Sequence, residues 1–298
     1  MNTLRAIDRV IPDAATSNLL GRIEWTPVQS IWTLANGLLG VVGVVWFFSW
    51  GALAVFLVLT VITVCAGHSV GMHRLLIHRS FKTYRAVEYV LVWLGVLVGM
   101  AGPMGMIRQH DMRDWHQRQD SCPPHPSHGA GFWRDAWWQM HCTFALDHPP
   151  RFEIETRLAK DPVYQWMERL WRWRQLPVAA LFLMGGVCFV LWGVCLRVFV
   201  TLCGHWAVGH FAHRQGTQGW VVDGVAVQGF NLPRLGLVTF GENWHGNHHA
   251  FPHLAKLGVE AGQADPGYWV IKGLVAVGLA WDIQGPNDAP ERDGLRRA

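Results

Sequence analysis

Residues 31–67 read IWTLANGLLGVVGVVWFFSWGALAVFLVLTVITVCAG and contain no charged side chain. One helical crossing of a bilayer needs roughly 20 apolar residues, so this stretch is too long for one helix and long enough for two. Ser49, Trp50 and Gly51 near its middle favour a turn. We therefore predict a transmembrane helical hairpin that turns at these residues.

A second uncharged stretch, residues 89–107, is interrupted by Gly102 and Pro103. Histidines after the hairpin, after this stretch and near the end of the chain can share one site only if they lie on one membrane face. The second stretch is therefore predicted to re-enter the membrane or to lie flat. We expect its bend at Gly102–Pro103, because irregular backbone is tolerated at membrane depth where protein covers it.

The third uncharged stretch covers residues 176–196, is broken by Gly185 and Gly186, and continues past Arg197. Because the histidines on either side of it must lie on one membrane face, this stretch is predicted to cross twice. It is expected to turn at the glycine pair, with a first arm that begins near Tyr164. The predicted fold class is an all-α integral membrane protein. About four transmembrane helices form two hairpins, and a cytoplasmic helical cap carries a His-rich di-metal site.

The chain divides into three parts by composition. Residues 1–30 are polar, contain Pro12 and Pro27, and lack the short apolar run and cleavage site of a signal peptide, so we predict a cytoplasmic N-terminal segment. Residues 31–285 are predicted to form a single membrane domain. Residues 286–298 hold prolines and alternating charges and are predicted to be a disordered tail.

The overall composition indicates a multi-pass membrane protein. Apolar residues make up 51% of the chain and charged residues 15%, and the apolar residues come in long blocks. The net charge of +4 comes from basic residues around those blocks, which excludes a nucleic-acid binder and places the loops on the cytoplasmic side of an inner membrane. Many of the 18 tryptophans stand at block ends, as interfacial rings do. The six cysteines contain no CxxC pair, so neither zinc nor a disulfide framework is indicated.

The 16 histidines are grouped rather than scattered. The groups are His73 and His78 in HRLLIHRS, His110 and His116 in HDMRDWH, His205, His210 and His213 in HWAVGHFAH, and His245, His248 and His249 in WHGNHH. Spacings of three to five residues put side chains on nearly the same face of a helix, so each group offers several imidazole nitrogens to one point. About eight nitrogen and oxygen donors without a thiolate exceed one tetrahedral zinc site and favour two ions with open positions for oxygen. Iron is the first candidate, and two zinc ions remain an alternative.

Two of these motifs resemble those of the membrane fatty acid desaturases. GMHRLLIHRSF at residues 71–81 is similar to GxHRLWSHRS, and GENWHGNHHAFP at residues 241–252 is similar to GEGWHNNHHxFP. The resemblance spans roughly residues 30–260 and implies that histidines, with one carboxylate, bind two Fe²⁺ ions. The implied metal ligands are His73, His78, His110, Asp114, His213, His245, His248 and His249. Glu242 and Asn247 are expected to support the last motif.

The second motif departs from the family pattern HRxHH. Residues 110–114 read HDMRD, which keeps His110, replaces one histidine by Arg113 and puts Asp114 in the last position. Asp114 is the predicted substitute ligand, because a carboxylate can bind iron. Asp111 or Asp114 could instead accept a hydrogen bond from a ligand ring, and His116 is a reserve ligand.

The remaining histidines are ranked below these ligands. His213 is itself a predicted ligand, because aligning Trp206 and Val208 with the family pattern TWLVNSATH places His213 on the histidine of that pattern. The same alignment places Gly209 where the family has a water-holding asparagine. His68, His205 and His210 then fall on positions that are not ligands in the family. The others, expected at the surface or in a substrate channel, are His125, His128, His141, His148 and His253.

The resemblance implies an oxidoreductase that uses O₂ to desaturate a fatty acyl chain, either acyl-CoA or lipid-linked. It names no catalytic side chain beyond the ligands, and Arg74, Arg79 and Arg113 are candidate headgroup partners. The chain shows no haem domain and no flavin or nicotinamide fingerprint, so electrons are expected from a separate ferredoxin, rubredoxin or cytochrome. One alternative is a di-iron fatty acid hydroxylase or alkane monooxygenase. Another is a metal-binding membrane transporter or sensor, which would carry ionisable residues within its spans.

Overall fold

The computed structural model describes residues 9–285 and 294–298. The helices in chain order are α1 (Pro27–Trp46), α2 (Trp50–Ile77), α3 (Arg85–Val96), α4 (Pro103–Gln117), α5 (Phe132–His141), α6 (Thr156–Ala159), α7 (Pro162–Glu168), a 3-10 helix (Trp171–Ala179), α8 (Ala180–Gly185), α9 (Val187–Ala212), α10 (His245–Ala250) and α11 (Pro266–Ala276). Within this described part, α1, α2 and α9 are long and apolar enough to cross a membrane.

Helix α1 is apolar on the outside and small or polar on the inside. Ile31, Leu38 and Trp46 are each more than 60% exposed, whereas Gly37, Gly40 and Gly43 are buried. A Cβ added to Gly40 would lie 3.0 Å from the α9 backbone at Leu196. Small residues that let helix backbones approach, with large apolar residues turned outward, are typical of helices packed in lipid.

The chain turns between α1 and α2 at residues 47–49, beside the residues expected to form the turn. Ser49 caps α2, because its side-chain oxygen accepts a hydrogen bond from the Ala52 N–H. From Val61 to Ile77 the helix is π-helical, with backbone hydrogen bonds that join residues five apart. The first histidine motif therefore belongs to the same continuous helix as the span.

Helix α3 packs closely against the π-helical part of α2, with direct backbone approach at two glycines. Added Cβ atoms at Gly67 and Gly71 would lie 2.4 and 2.5 Å from the α3 backbone. The chain then leaves α3, passes Gly102 and starts α4 at Pro103, which occupies the first helical turn, where its missing N–H is not needed. The bend lies where the sequence analysis placed it, and it brings α4 back across the end of α2.

The segment predicted to form the second hairpin is asymmetric. Gly186, with φ of 70°, separates α8 from the 26-residue α9. The first arm consists of the 3-10 helix and α8, contains Pro177, and carries Arg172 and Arg174 at its start. This arm is too short and too polar to count among the three long apolar helices, so the fourth crossing stays a prediction.

Short strands modify the all-α prediction, since four antiparallel pairs join loops of the described chain. They are β1 (Val10–Ile11) with β5 (Arg151–Phe152), β2 (Gly21–Trp25) with β4 (Cys142–Leu146), β3 (Lys82–Thr83) with β7 (Ala280–Trp281), and β6 (Trp220–Val222) with β8 (Leu295–Arg297). Residues 286–293 of the predicted tail lie outside the described residues. The strand β8 that follows is ordered by pairing with β6, which the composition of the tail did not indicate.

Candidate metal centre

Four of the predicted ligands form a first histidine group: His73, His78, His110 and His248. Their donor atoms all lie within 4.8 Å of one another. Nε2 of His73 is 3.3 Å from Nε2 of His248, and Nε2 of His78 is 3.2 Å from Nε2 of His110. Two nitrogens bound to one metal ion at about 2.1 Å are separated by roughly 3.0–3.4 Å. These spacings match a shared ion.

The π-helical winding of α2 explains how His73 and His78 meet. In an α-helix, residues five apart point about 140° away from each other, because one turn takes 3.6 residues. In a π-helix they lie one above the other. The two rings are 4.8 Å apart between centroids, and the His78 N–H donates to the His73 carbonyl at 3.1 Å. The expectation that an α-helix would align this pair is therefore corrected.

A second histidine group consists of His213, His245 and His249. Nε2 of His245 lies 3.0 Å from Nε2 of His213 and 3.1 Å from Nε2 of His249. His213 directly follows the last residue of α9, Ala212. His245 and His249 lie one turn apart on α10. The rings of His245 and His248, one from each group, have centroids 5.9 Å apart, so the groups adjoin as a metal pair requires.

For three of the seven rings, an oxygen acceptor close to Nδ1 leaves the Nε2 lone pair directed toward the centre of the group. Nδ1 of His73 lies 2.8 Å from a Glu242 oxygen, and Nδ1 of His110 lies 3.1 Å from an Asp111 oxygen. Nδ1 of His213 donates to the Gln228 carbonyl at 3.2 Å. With the proton held at Nδ1, facing Nε2 lone pairs near 3 Å repel one another unless a cation lies between them. The residues present therefore fit metal ions.

Burial keeps five of the seven predicted histidine ligands neutral. It lowers the pKa of His78, His213, His245 and His248 well below the ordinary value, and neighbouring histidines lower it further. The pKa of His249 falls to about 3 for the same reasons. His110 differs, because the Asp114 and Asp111 carboxylates outweigh its burial and raise its pKa. Imidazole binds metal only when it is unprotonated, so the five neutral rings can bind metal at neutral pH without first losing a proton.

Asp114, the eighth predicted ligand, lies outside both groups of converging donors. Its carboxylate pairs with Arg118 at 2.9 Å. Burial alone would raise the pKa of Asp114, but Arg118 and His110 hold it below its usual range. His116 packs against Phe144, with ring centroids 5.6 Å apart, and belongs to neither group.

Supporting contacts tie the first group to the rest of the fold. Glu242 also accepts a hydrogen bond from Ser69, and Arg74 lies 3.7 Å from it while donating to Asp265. Burial would raise the pKa of Glu242, but the His73 and Arg74 side chains lower it. A carboxylate held ionised beside an imidazole fixes the orientation of that ring and makes its other nitrogen a stronger electron donor to a metal ion.

A third buried cluster was missed by the sequence analysis. Asp135 accepts hydrogen bonds at one oxygen from Nδ1 of His128 and Nδ1 of His210, both at 2.8 Å, and from the Trp206 indole at 2.9 Å. The His128 ring stacks on His213, with centroids 5.6 Å apart. His128 was expected at the surface or in a channel, but it is fully buried because this cluster encloses it. The sequence offered one indication of this cluster, because Asp135 is an acidic residue within the aromatic run FWRDAWW at residues 132–138.

The other histidines lie apart from the two groups. His68 and His205 face each other with ring centroids 5.1 Å apart. His125 and His141 were also expected at the surface or in a channel, and both are buried, the latter stacked on Trp137. His148 is exposed and His253 half-buried.

Comparison with known proteins gives a consistent answer. The family model described as "Fatty acid desaturase" matches residues 48–257. The sn-2 palmitoyl-lipid 9-desaturase of Nostoc sp. (strain 36) is 33% identical over 242 residues, which cover 79% of this chain and 82% of that protein. The sn-1 stearoyl-lipid 9-desaturase of Anabaena variabilis is 33% identical, covering 80% and 85%. The acyl-CoA 5-desaturase AL21 of Anemone leveillei is 32% identical, covering 82% and 75%.

Proposed function

The chain belongs to the fatty acid desaturase family, and from that premise we propose that it desaturates a fatty acyl chain with O₂ at a pair of iron ions in a membrane. The observation that carries the proposal is the convergence of seven Nε2 atoms in two adjoining groups, together with Nδ1 partners that fix the ring tautomers. A zinc pair has no redox chemistry, so it would not serve this reaction.

The first ion would be held by His73, His78, His110 and His248, and the second by His213, His245 and His249. Asp114 is proposed as an oxygen donor beside them. The pKa of its carboxyl is sensitive to His110, which belongs to the first group, and to His245 and His249, which belong to the second, and this supports a position close to both groups. Iron bound there would supply the oxidising power that, with O₂ and two electrons, removes two hydrogens from adjacent methylenes.

The protein's own residues hold and shield this centre. The carboxylates of Glu242 and Asp111 keep the protons of His73 and His110 on Nδ1. His73 and His248 are buried and the other five rings are half-buried, which restricts the access of bulk water and limits loss of oxidising equivalents to solvent. The chain's task toward the acyl substrate is positioning, so that one carbon–carbon bond lies against the metal pair.

The substrate is proposed to be an acyl chain on an anionic headgroup, either a lipid or CoA. The printed names of the relatives include both kinds of acyl carrier. Of the three arginines predicted to bind the headgroup, Arg74 is buried against Asp265 and Arg113 donates to Gln139. Arg79 is the one that lines a surface cleft, which it shares with Lys82 and Arg157. This cleft supports a headgroup site next to the first histidine group.

Electron supply and membrane placement complete the proposal. A separate ferredoxin, rubredoxin or cytochrome would deliver the two electrons. The three long apolar helices are proposed to lie in the cytoplasmic membrane, with the histidine groups facing the cytoplasm. Basic residues in the loops around these helices favour that orientation.

The test is lipid analysis by mass spectrometry of cells that express the wild type, His248→Ala or His148→Ala, with metal quantified in each purified protein. His148 is an exposed loop histidine and serves as the control. We expect a new unsaturated acyl species in the wild type and the control, its loss in His248→Ala, and about two irons per wild-type chain. Hydroxylated products would replace the proposal with a monooxygenase, and zinc or no metal would refute both.

A further inference from the structure

Arg9 lies outside the part of the chain that the family model matches, yet it is buried beside the first histidine group. It is 3% exposed and directly precedes β1. Its Nη1 donates to Oδ2 of Asp111 at 2.7 Å. Its Nε and Nη2 both donate to Oε1 of Glu155, at 3.1 and 2.8 Å. One guanidinium therefore holds two carboxylates from different segments.

The Asp111 contact connects Arg9 to a metal-binding ring. The second oxygen of Asp111 lies 3.1 Å from Nδ1 of His110, whose Nε2 faces the first histidine group. A carboxylate can orient an imidazole only if the carboxylate is itself fixed. The charged hydrogen bond from Arg9 provides that, because such bonds are short and directional.

The Glu155 contact reaches the other side of the same group. Glu155 also accepts a hydrogen bond from Arg79, which directly follows His78. Arg79 has φ of 52°, in the left-handed region that a non-glycine residue rarely adopts. Arg9 additionally donates to the Ile77 carbonyl at 3.4 Å. Its contacts therefore flank His78 on both sides and hold a turn that is unfavourable on its own.

We propose that Arg9 is a positioning residue for the first metal ion: it fixes His110 through Asp111, and it fixes the turn after His78 through Glu155. The N-terminal segment is then part of the metal centre rather than a separate arm. This inference rests on the metal pair of the proposed function. It adds a residue far from every histidine motif in the sequence.

The test measures metal binding in detergent under anaerobic conditions for the wild type, Arg9→Gln and Arg22→Gln. Arg22 lies in the same segment, pairs with Glu24 and Asp147 at the surface and has a side chain that is 71% exposed, so it is the matched control. After passage over a chelating resin, we expect about two irons per chain in the wild type and in Arg22→Gln. We expect about one in Arg9→Gln, with roughly tenfold to a hundredfold weaker binding of the ion that is lost.

A double-mutant cycle separates positioning from general loss of structure. Because Arg9 acts through Asp111 as well as through Glu155, Asp111→Asn alone should weaken binding, and the double variant should weaken it by less than the sum of the two single effects. Arg9→Lys keeps the charge but loses the fork geometry, so it should retain the fold and bind the first ion with intermediate affinity.

Three results would overturn the inference. These are retention of two ions with wild-type affinity in Arg9→Gln, full addition of the two single effects in the double variant, and wild-type affinity in Arg9→Lys. Each of these outcomes, beside a wild type with two irons, rejects the role of Arg9 and leaves the proposed function standing. A wild type that binds no metal rejects the proposed function and this inference together.

Discussion

Replacing Asp135 by asparagine tests the buried cluster beside the second histidine group. In the native protein one carboxylate oxygen receives three N–H groups, from His128, His210 and Trp206, and the other oxygen receives the Gln139 amide at 3.2 Å. Asparagine keeps one acceptor oxygen and puts an NH₂ group where every neighbour is already a donor. The variant therefore loses charge-assisted hydrogen bonds and gains a donor–donor contact.

The expected loss of stability follows from these contacts. A hydrogen bond to a charged group contributes about 1.5–3 kcal/mol, and an unsatisfied buried polar group costs about 1–3 kcal/mol. Allowing for partial relaxation, Asp135→Asn should reduce the free energy of unfolding by about 2–5 kcal/mol. For a chain of 298 residues, whose entropy of unfolding is about 0.6 kcal/mol/K, that corresponds to a Tm lowered by roughly 3–8 °C. Thermal unfolding of the metal-free protein in detergent measures it.

Asp147→Asn is the matched control, because Asp147 is half-exposed and pairs with Arg22 at only 3.5 Å. Surface ion pairs contribute about 0–1 kcal/mol, so this variant should unfold close to the wild type. If Asp135→Asn unfolds within about 2 °C of the wild type, which corresponds to roughly 1 kcal/mol or less, the cluster does not stabilise the fold as we argue and our reasoning about it is wrong.

Further predictions concern the metal centre, the packing of α3 and the effect of pH. Glu242→Gln should weaken metal binding about five- to thirtyfold, because a neutral oxygen replaces a charged acceptor whose hydrogen bond is stronger by about 1–2 kcal/mol. Glu260 is exposed, so Glu260→Gln should leave metal binding unchanged in the same titration. Gly71→Leu should prevent accumulation of folded protein, since a Cβ there would lie 2.5 Å from the α3 backbone. Gly131→Ala should express normally, because a Cβ at Gly131 would have no atom within 4 Å. Size-exclusion profiles distinguish the two variants. Burial lowers the pKa of His116 to about 4. The unfolded chain binds that proton near pH 6.5 and the folded chain does not, so metal-free protein should lose stability as the pH falls from about 6.5 toward 4. Thermal unfolding at several pH values should show a smaller decrease of Tm with falling pH for His116→Phe than for the wild type. An identical decrease would contradict the lowered pKa of His116.

The histidine motifs and the turns between apolar stretches were predictable because their signals are local. His245 and His249 are four residues apart, which one helical turn brings together. Gly102 and Pro103 mark the bend before α4 because proline suits a helix start and glycine tolerates the approach to it. His213 came from the family pattern, since its partners lie 32 residues further along the chain.

Contacts between distant segments were not predictable in this way. Asp135 and His210 are 75 positions apart, and Arg9 and Asp111 are 102 apart, so no spacing rule connects them. The π-helical winding of α2 was also missed, although the five-residue interval between His73 and His78 is its signature. The fourth crossing stays a prediction, because the segment before Gly186 contains Pro177, Arg172 and Arg174 and is not among the three long apolar helices of the described chain.

The length of α2 has a mechanical consequence. A bilayer core is spanned by roughly 20 helical residues, and α2 runs for 28 without a break. With α2 placed across the membrane as proposed, the additional residues extend the helix past the hydrocarbon to Ile77, between His73 and His78, and the close approach of α3 at Gly67 and Gly71 braces this extension along one side. We therefore expect the first histidine motif to move less than a loop would. If the substrate is an acyl chain as proposed, we expect the opening that admits or releases it in segments that lack such bracing.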